Sequence, residues 1–115
     1  MNSADIRKFC LTLPGTTEDV KWEDHLCFSV GGKMYCITSE GNGDGTSLKA
    51  DAEEFEELCA RPGLRPAPYL ARNKWVQVER AGALTATEWK RLLTISYQEV
   101  RKKLPLKVQR ALGPR

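Results

Sequence analysis

The 115-residue sequence has no apolar run approaching the roughly twenty residues that span a bilayer, which argues against a helical membrane protein. It contains one histidine, His25, and no CxxC pair: Cys10, Cys27, Cys36 and Cys59 are widely spaced. A structural zinc site and a disulfide framework are therefore not expected. The first residues, Met1-Asn2-Ser3-Ala4-Asp5, lack the basic stretch and apolar core of a secretory signal, so a cytoplasmic location is expected. No HExxH motif, nucleotide fingerprint or Ser-His-Asp arrangement is present, and the chain is not expected to be an enzyme or to carry a cofactor or metal. What remains is 41% hydrophobic and 29% charged, a globular composition long enough for one domain. A single domain over 1–115 is expected, compact over about 3–104 with a short C-terminal tail, and monomeric.

Charge is distributed unevenly. Residues 1–60 hold 5 Lys/Arg and 12 Asp/Glu, and residues 61–115 hold 13 and 3, so the halves carry −7 and +10. Two readings stay open: a surface that faces a polyanion, or an acidic half that covers the basic half in the fold.

Along the chain, Ser3 can cap a helix over about 4–12 whose apolar face is Ile6, Phe9, Cys10 and Leu13. Pro14-Gly15 ends it, and a weak strand is expected over 16–22. Leu26, Phe28 and Val30 alternate with smaller residues, and Gly31-Gly32 turns the chain into 33–38, the strongest hairpin signal present. Gly41-Asn42-Gly43-Asp44-Gly45 connects to a short strand at 46–50. Asp51 and Glu54 have capping-box spacing for a helix to about residue 60. Pro62, Pro66 and Pro68 make the next segment extended. A strand is expected over 74–79. Thr85 and Glu88 cap a last helix with a stripe at Trp89, Leu92, Leu93, Ser96, Tyr97, Val100 and Leu104, which Pro105 ends. The expected class is α+β, two-layer, with an antiparallel sheet, helices packed on one face, and the order α-β-β-β-β-α-β-α.

In that arrangement Ser47, Lys49, Trp75 and Gln77 point away from the side that carries Leu48, Val76 and Val78. Arg72 and Lys74 flank the same strand. Lysine and arginine can hold phosphates and an aromatic ring can stack on a base. A tryptophan packed beneath the Pro66–Tyr69 segment or the C-terminal tail is the competing reading for Trp75. On the last helix, Lys90 with Arg101 and Arg91 with Lys102 would form solvated basic stripes. His25 reads as a surface residue, with a weak metal site of Glu23, Asp24 and Cys27 as the alternative.

Several stretches resemble the MmcQ/YjbR family, in family order: Leu13-Pro14-Gly15-Thr16-Thr17-Glu18, Gly31-Gly32-Lys33-Met34-Tyr35, Ser47-Leu48-Lys49-Ala50, Arg65-Pro66-Ala67-Pro68-Tyr69, Asn73-Lys74-Trp75-Val76 and Ser96-Tyr97. The resemblance implies a fold related in shape to the frataxin/CyaY proteins and a double-wing DNA-binding role, in which hairpin wings and a helix meet the duplex. It supplies no catalytic residues. Combined with the charge pattern, it makes Lys33, Lys49, Arg65, Arg72, Lys74 and Trp75 the candidate contacts to nucleic acid, with double-stranded DNA the expected partner and no membrane involved. Two alternatives accompany it. One is a frataxin-like metal-binding module that uses acidic residues of 53–57 and Glu18, Asp19, Glu23 and Asp24. The other is a domain that binds a protein or small ligand on the open sheet face.

Overall fold

The computed structural model describes residues 1–21, 24–68 and 70–113. Asn2, one residue earlier than expected, caps the first helix, α1 (Ser3–Cys10). Its side chain accepts from the Asp5 N–H at 2.8 Å, and the Asp5 carboxylate accepts from the Asn2 N–H at 3.3 Å. Ile6 and Cys10 face inward from this helix. Strands β1 (Thr16–Lys21), β2 (His25–Val30) and β3 (Lys33–Ser39) form an antiparallel meander. Gly31 (φ 58°) and Gly32 (φ 80°) supply the paired positive φ that the tight β2–β3 turn requires.

β4 (Thr46–Lys49) pairs with β3 and with β6 (Trp75–Val78), and β5 (Leu64–Pro66) closes the far edge. The sheet order is β1-β2-β3-β4-β6-β5, antiparallel throughout. The sixth strand corrects the expected element order. β5 has three residues, too few to show an alternation, and its proline is tolerated because an edge strand needs fewer N–H donors.

α2 (Phe55–Cys59) is shorter than expected, because Asp51 accepts from the Glu53 N–H in a turn instead of capping a helix. α3 (Ala86–Arg101) has the expected Thr85/Glu88 capping box. It lies across β2, β3 and β4. Trp89, Leu92, Leu93 and Tyr97 pack with Phe28, Val30, Leu48, Val76 and Val78 in one core. The β2–β3 register shifts at Phe28/Ser29, leaving Tyr35 without a partner across the ladder. This bulge turns Tyr35 into the core, where its ring meets Tyr97 edge to face at 5.4 Å and its hydroxyl lies 2.8 Å from Thr16 Oγ1.

Two expectations for the C-terminus are corrected. The short tail expected after about residue 104 includes a helix: α4 (Leu106–Ala111) follows Pro105, since proline suits the entry of a helix as well as its end. Arg101 is not a solvated partner of Lys90 but is 6% exposed. It lies four residues after Tyr97 and therefore on the buried stripe. Its guanidinium donates to the Tyr97 hydroxyl at 2.8 Å, to the Gln109 carbonyl at 3.1 Å and to the Gly113 carbonyl, so it fastens α4 to α3.

Candidate nucleic-acid interface

The β4–β6 register places Ser47 opposite Gln77 and Lys49 opposite Trp75, alternating with the core pair Leu48 and Val76. At one end of the sheet, where β3 and β6 begin and β4 finishes, α3 also runs out. There Met34, Trp75, Val100, Leu104 and Pro105 line a groove of about 380 Å³. Lys33, Lys49 and Lys103 line the same groove, with Asn73 beside them. Trp75, Val100 and Leu104 are buried and form its floor; Lys33 and Lys103 are exposed and Lys49 is half-buried.

Local structure sets each lysine. Lys33 follows the Gly31-Gly32 turn, whose tip packs so closely on Leu104 that a Cβ on Gly31 would lie 2.5 Å from Leu104 Cδ1. Lys49 ends β4, and its N–H donates to Ser96 Oγ at 2.9 Å. The Ser96 hydroxyl donates in turn to the Tyr35 carbonyl, so α3 is clamped to both strands at this point. The Lys49 ammonium donates to the Asn73 carbonyl at 2.7 Å. Burial, and then the neighbouring charge of Lys103, push the Lys49 pKa below its ordinary value, while Glu99 opposes the shift. The groove thus gathers positive charge at some cost to Lys49, a cost that an anion would relieve.

The other candidates lie elsewhere. Lys74, in the left-handed conformation (φ 65°) at the end of the 71–73 turn, holds its ammonium 5.1 Å from the centre of the Phe55 ring. Arg65 donates to Gln77 Oε1 at 2.8 Å and lies 3.8 Å from Glu79. Arg72 is exposed on the 71–73 turn. Of the six expected contacts, Lys33, Lys49 and Trp75 come together. Lys103 was missed because its position just past α3 carries no signal until the end of that helix is placed against the sheet.

Four other cations are paired with carboxylates. Arg7 meets Glu18 at 2.7 Å, Arg61 meets Glu88 at 2.6 Å, Arg91 meets Glu54 at 2.7 Å and Lys102 meets Glu99 at 2.7 Å. Only the Arg91–Glu54 pair among these joins the acidic and basic halves. Glu18 and Glu54, which the metal-binding reading needs, are therefore engaged with arginines. No group of three metal-capable side chains occurs among the described residues. Trp22, Glu23 and Tyr69 lie outside the described residues, so the Glu23 part of the metal reading and the Tyr69 part of the packing reading do too.

The hairpin connections reach opposite ends of the sheet. The β2–β3 turn borders the groove; the 40–45 loop does not. In that loop Asp44 accepts from the Ala81 N–H at 2.7 Å, and Gly41 exchanges hydrogen bonds with Ser3, both 2.9 Å. Asp44 is thus committed to holding the chain together.

The family model for YjbR matches residues 11–99. The chain belongs to the YjbR family. The Deinococcus radiodurans protein DR2400, whose crystal structure contains a DUF419 domain, is 32% identical, with a TM-score of 0.85 over 100% of this chain and 91% of that one. A Pseudomonas syringae protein of known structure is 24% identical and shares the fold, with a TM-score of 0.71 over 87% of this chain and 99% of that one. No curated protein matches the chain. The six-stranded sheet with its helix layer is thus the YjbR fold, and no helix among the described residues is long and apolar enough to cross a membrane.

Proposed function

We propose that this YjbR-family protein binds DNA through its phosphate backbone, with the groove of Lys33, Lys49 and Lys103 as the main contact. The observation that carries this reading is the convergence of three lysines from β3, β4 and the end of α3 on one concavity, while Arg61 and Arg91, toward the other end of α3, are paired with carboxylates. A lysine whose charged form is disfavoured by burial first and by a neighbouring lysine second is stabilised by a bound anion, and a polymer with regularly spaced phosphates supplies several at once. The β2–β3 turn acts as the single wing at this site.

Duplex binding titrated against salt tests the reading. With about three phosphates neutralised, the logarithm of the affinity falls against the logarithm of salt with a slope near roughly −3. Lys49→Glu and Lys103→Glu each flatten the slope and weaken binding. Absence of binding at low salt, or binding that ignores both reversals, overturns it.

A further inference from the structure

A duplex backbone needs charge but does not need an apolar floor. The groove has both: Met34, Trp75, Val100 and Leu104 lie beneath the lysines in a concavity of about 380 Å³. A duplex keeps its bases stacked inside and presents phosphates on a convex surface, so it leaves such a floor unfilled. An unpaired nucleotide carries the complementary pair of features, a flat apolar base joined to a phosphate. Bases stack on aromatic and apolar side chains in a way that tolerates any sequence. Asn73, which also lines the groove, carries an amide with both a donor and an acceptor for a base edge. We infer that the groove seats one unpaired base of a single-stranded segment against Met34, over the apolar floor that the buried Trp75 supports, with the adjoining phosphates held by Lys49 and Lys103. This inference rests on the phosphate-binding reading and adds a preference for frayed, gapped or overhanging ends over an intact duplex.

The experiment compares three forms of one short DNA: a blunt duplex, the same duplex with a thymidine overhang, and the same duplex with an abasic overhang. The overhang form binds about tenfold more tightly than the blunt form, a gain of the size expected when part of a base leaves water for an apolar surface. The abasic overhang loses that gain. Tryptophan fluorescence changes on binding the thymidine overhang, and Trp75→Phe abolishes the change. Met34→Asn, which changes no charge, reduces binding of the thymidine overhang more than binding of the blunt duplex, and an equal loss for both forms overturns the base seat.

Equal binding of the thymidine and abasic overhangs, or of the blunt and overhanging duplexes, overturns the base seat and leaves the phosphate reading standing. Failure of all three forms to bind at low salt overturns both. Thymidine monophosphate that displaces the overhang at equal concentration reassigns the groove to a free nucleotide and overturns the strand-bound occupant.

Discussion

Lys49 and Trp75 face each other across the β4–β6 ladder, and both line the groove at the end of the sheet. Ladder pairing fixes their spacing irrespective of the surrounding loops. Charge reversals should therefore rank by position. Lys49→Glu and Lys103→Glu weaken DNA binding most, because each adds an opposing charge inside the concavity. Arg65→Glu, on the Gln77 side of the sheet, has a smaller effect. A binding series at one low salt concentration checks the order, and an Arg65 effect equal to that of Lys49 refutes it.

Lys49 also reports on occupancy. Its folded pKa lies below the ordinary value, so its charged form is the disfavoured one. The penalty is present at pH below the folded pKa and fades as pH rises through it toward the ordinary value. Removing the nearby charge in Lys103→Ala raises the Lys49 pKa, and so does a bound phosphate polymer. NMR titration of the lysine side chains follows this directly. A Lys49 titration unmoved by both changes shows that Lys103 and the ligand are not near it.

The hairpin, the last helix and the alternation of Leu48, Val76 and Val78 were legible in the sequence because each rests on a local period or turn residue. Lys49 and Trp75 could be placed on one side of the sheet for the same reason. Lys103 could not, since only the packing of Leu104 on Gly31 brings the end of α3 to the β2–β3 turn. The role of Arg101 was hidden by chemistry: a charged residue on a buried stripe reads as solvated until the carbonyls of a following helix appear to accept from it. β5 was hidden by length, and the cap at Asn2 by the equal suitability of Ser3 beside it.

Arg101 should be a stability residue that acts on the C-terminus. Its guanidinium is buried and bonded to neutral acceptors, the Tyr97 hydroxyl and two carbonyls. Arg101→Ala removes those bonds and leaves the carbonyls of Gln109 and Gly113 without this donor. At about 1.5–3 kcal/mol for a hydrogen bond to a charged group, the loss is of order 3 kcal/mol. Denaturant unfolding measures it, and amide exchange should show α4 losing protection before the sheet. Arg101→Lys restores charge but not the planar fork, and recovers only part of the stability.

The adjoining glycines Gly31 and Gly32 provide an internal control. Both have positive φ, so alanine at either pays about 1–2 kcal/mol of backbone strain. A Cβ on Gly32 meets open space, whereas one on Gly31 meets Leu104 Cδ1 at 2.5 Å. Gly31→Ala should therefore be the more destabilising. It should also displace the Lys33 end of the groove and weaken DNA binding, which Gly32→Ala does not. Truncating the obstruction in a Gly31→Ala/Leu104→Ala pair recovers part of the steric cost, so the double mutant is less unstable than the two single losses added together. Strict additivity would mean that the contact between the turn and α3 is absent.

Acid stability turns on Glu88. Its carboxylate accepts from Arg61 Nη1 at 2.6 Å and from the Thr85 N–H at 3.0 Å. These bonds, the Arg61 bond foremost, hold its pKa down to about 2 from an ordinary 4.5. A depressed carboxylate stabilises the fold at pH above its unfolded pKa. That contribution is lost as pH falls from about 4.5 through about 2, where the folded group also takes up its proton. Glu88→Gln retains the shape but not the charge. The stability gap between the parent protein and this variant should be widest at neutral pH and should close as the solution is acidified. Thr85→Ala, which removes the helix cap but not the ion pair, should cost about 1 kcal/mol with a much weaker dependence on pH. Unfolding curves collected from neutral pH to about 2 distinguish the two effects; a Glu88→Gln gap that stays constant across that range would show that the pair with Arg61 adds nothing to acid stability.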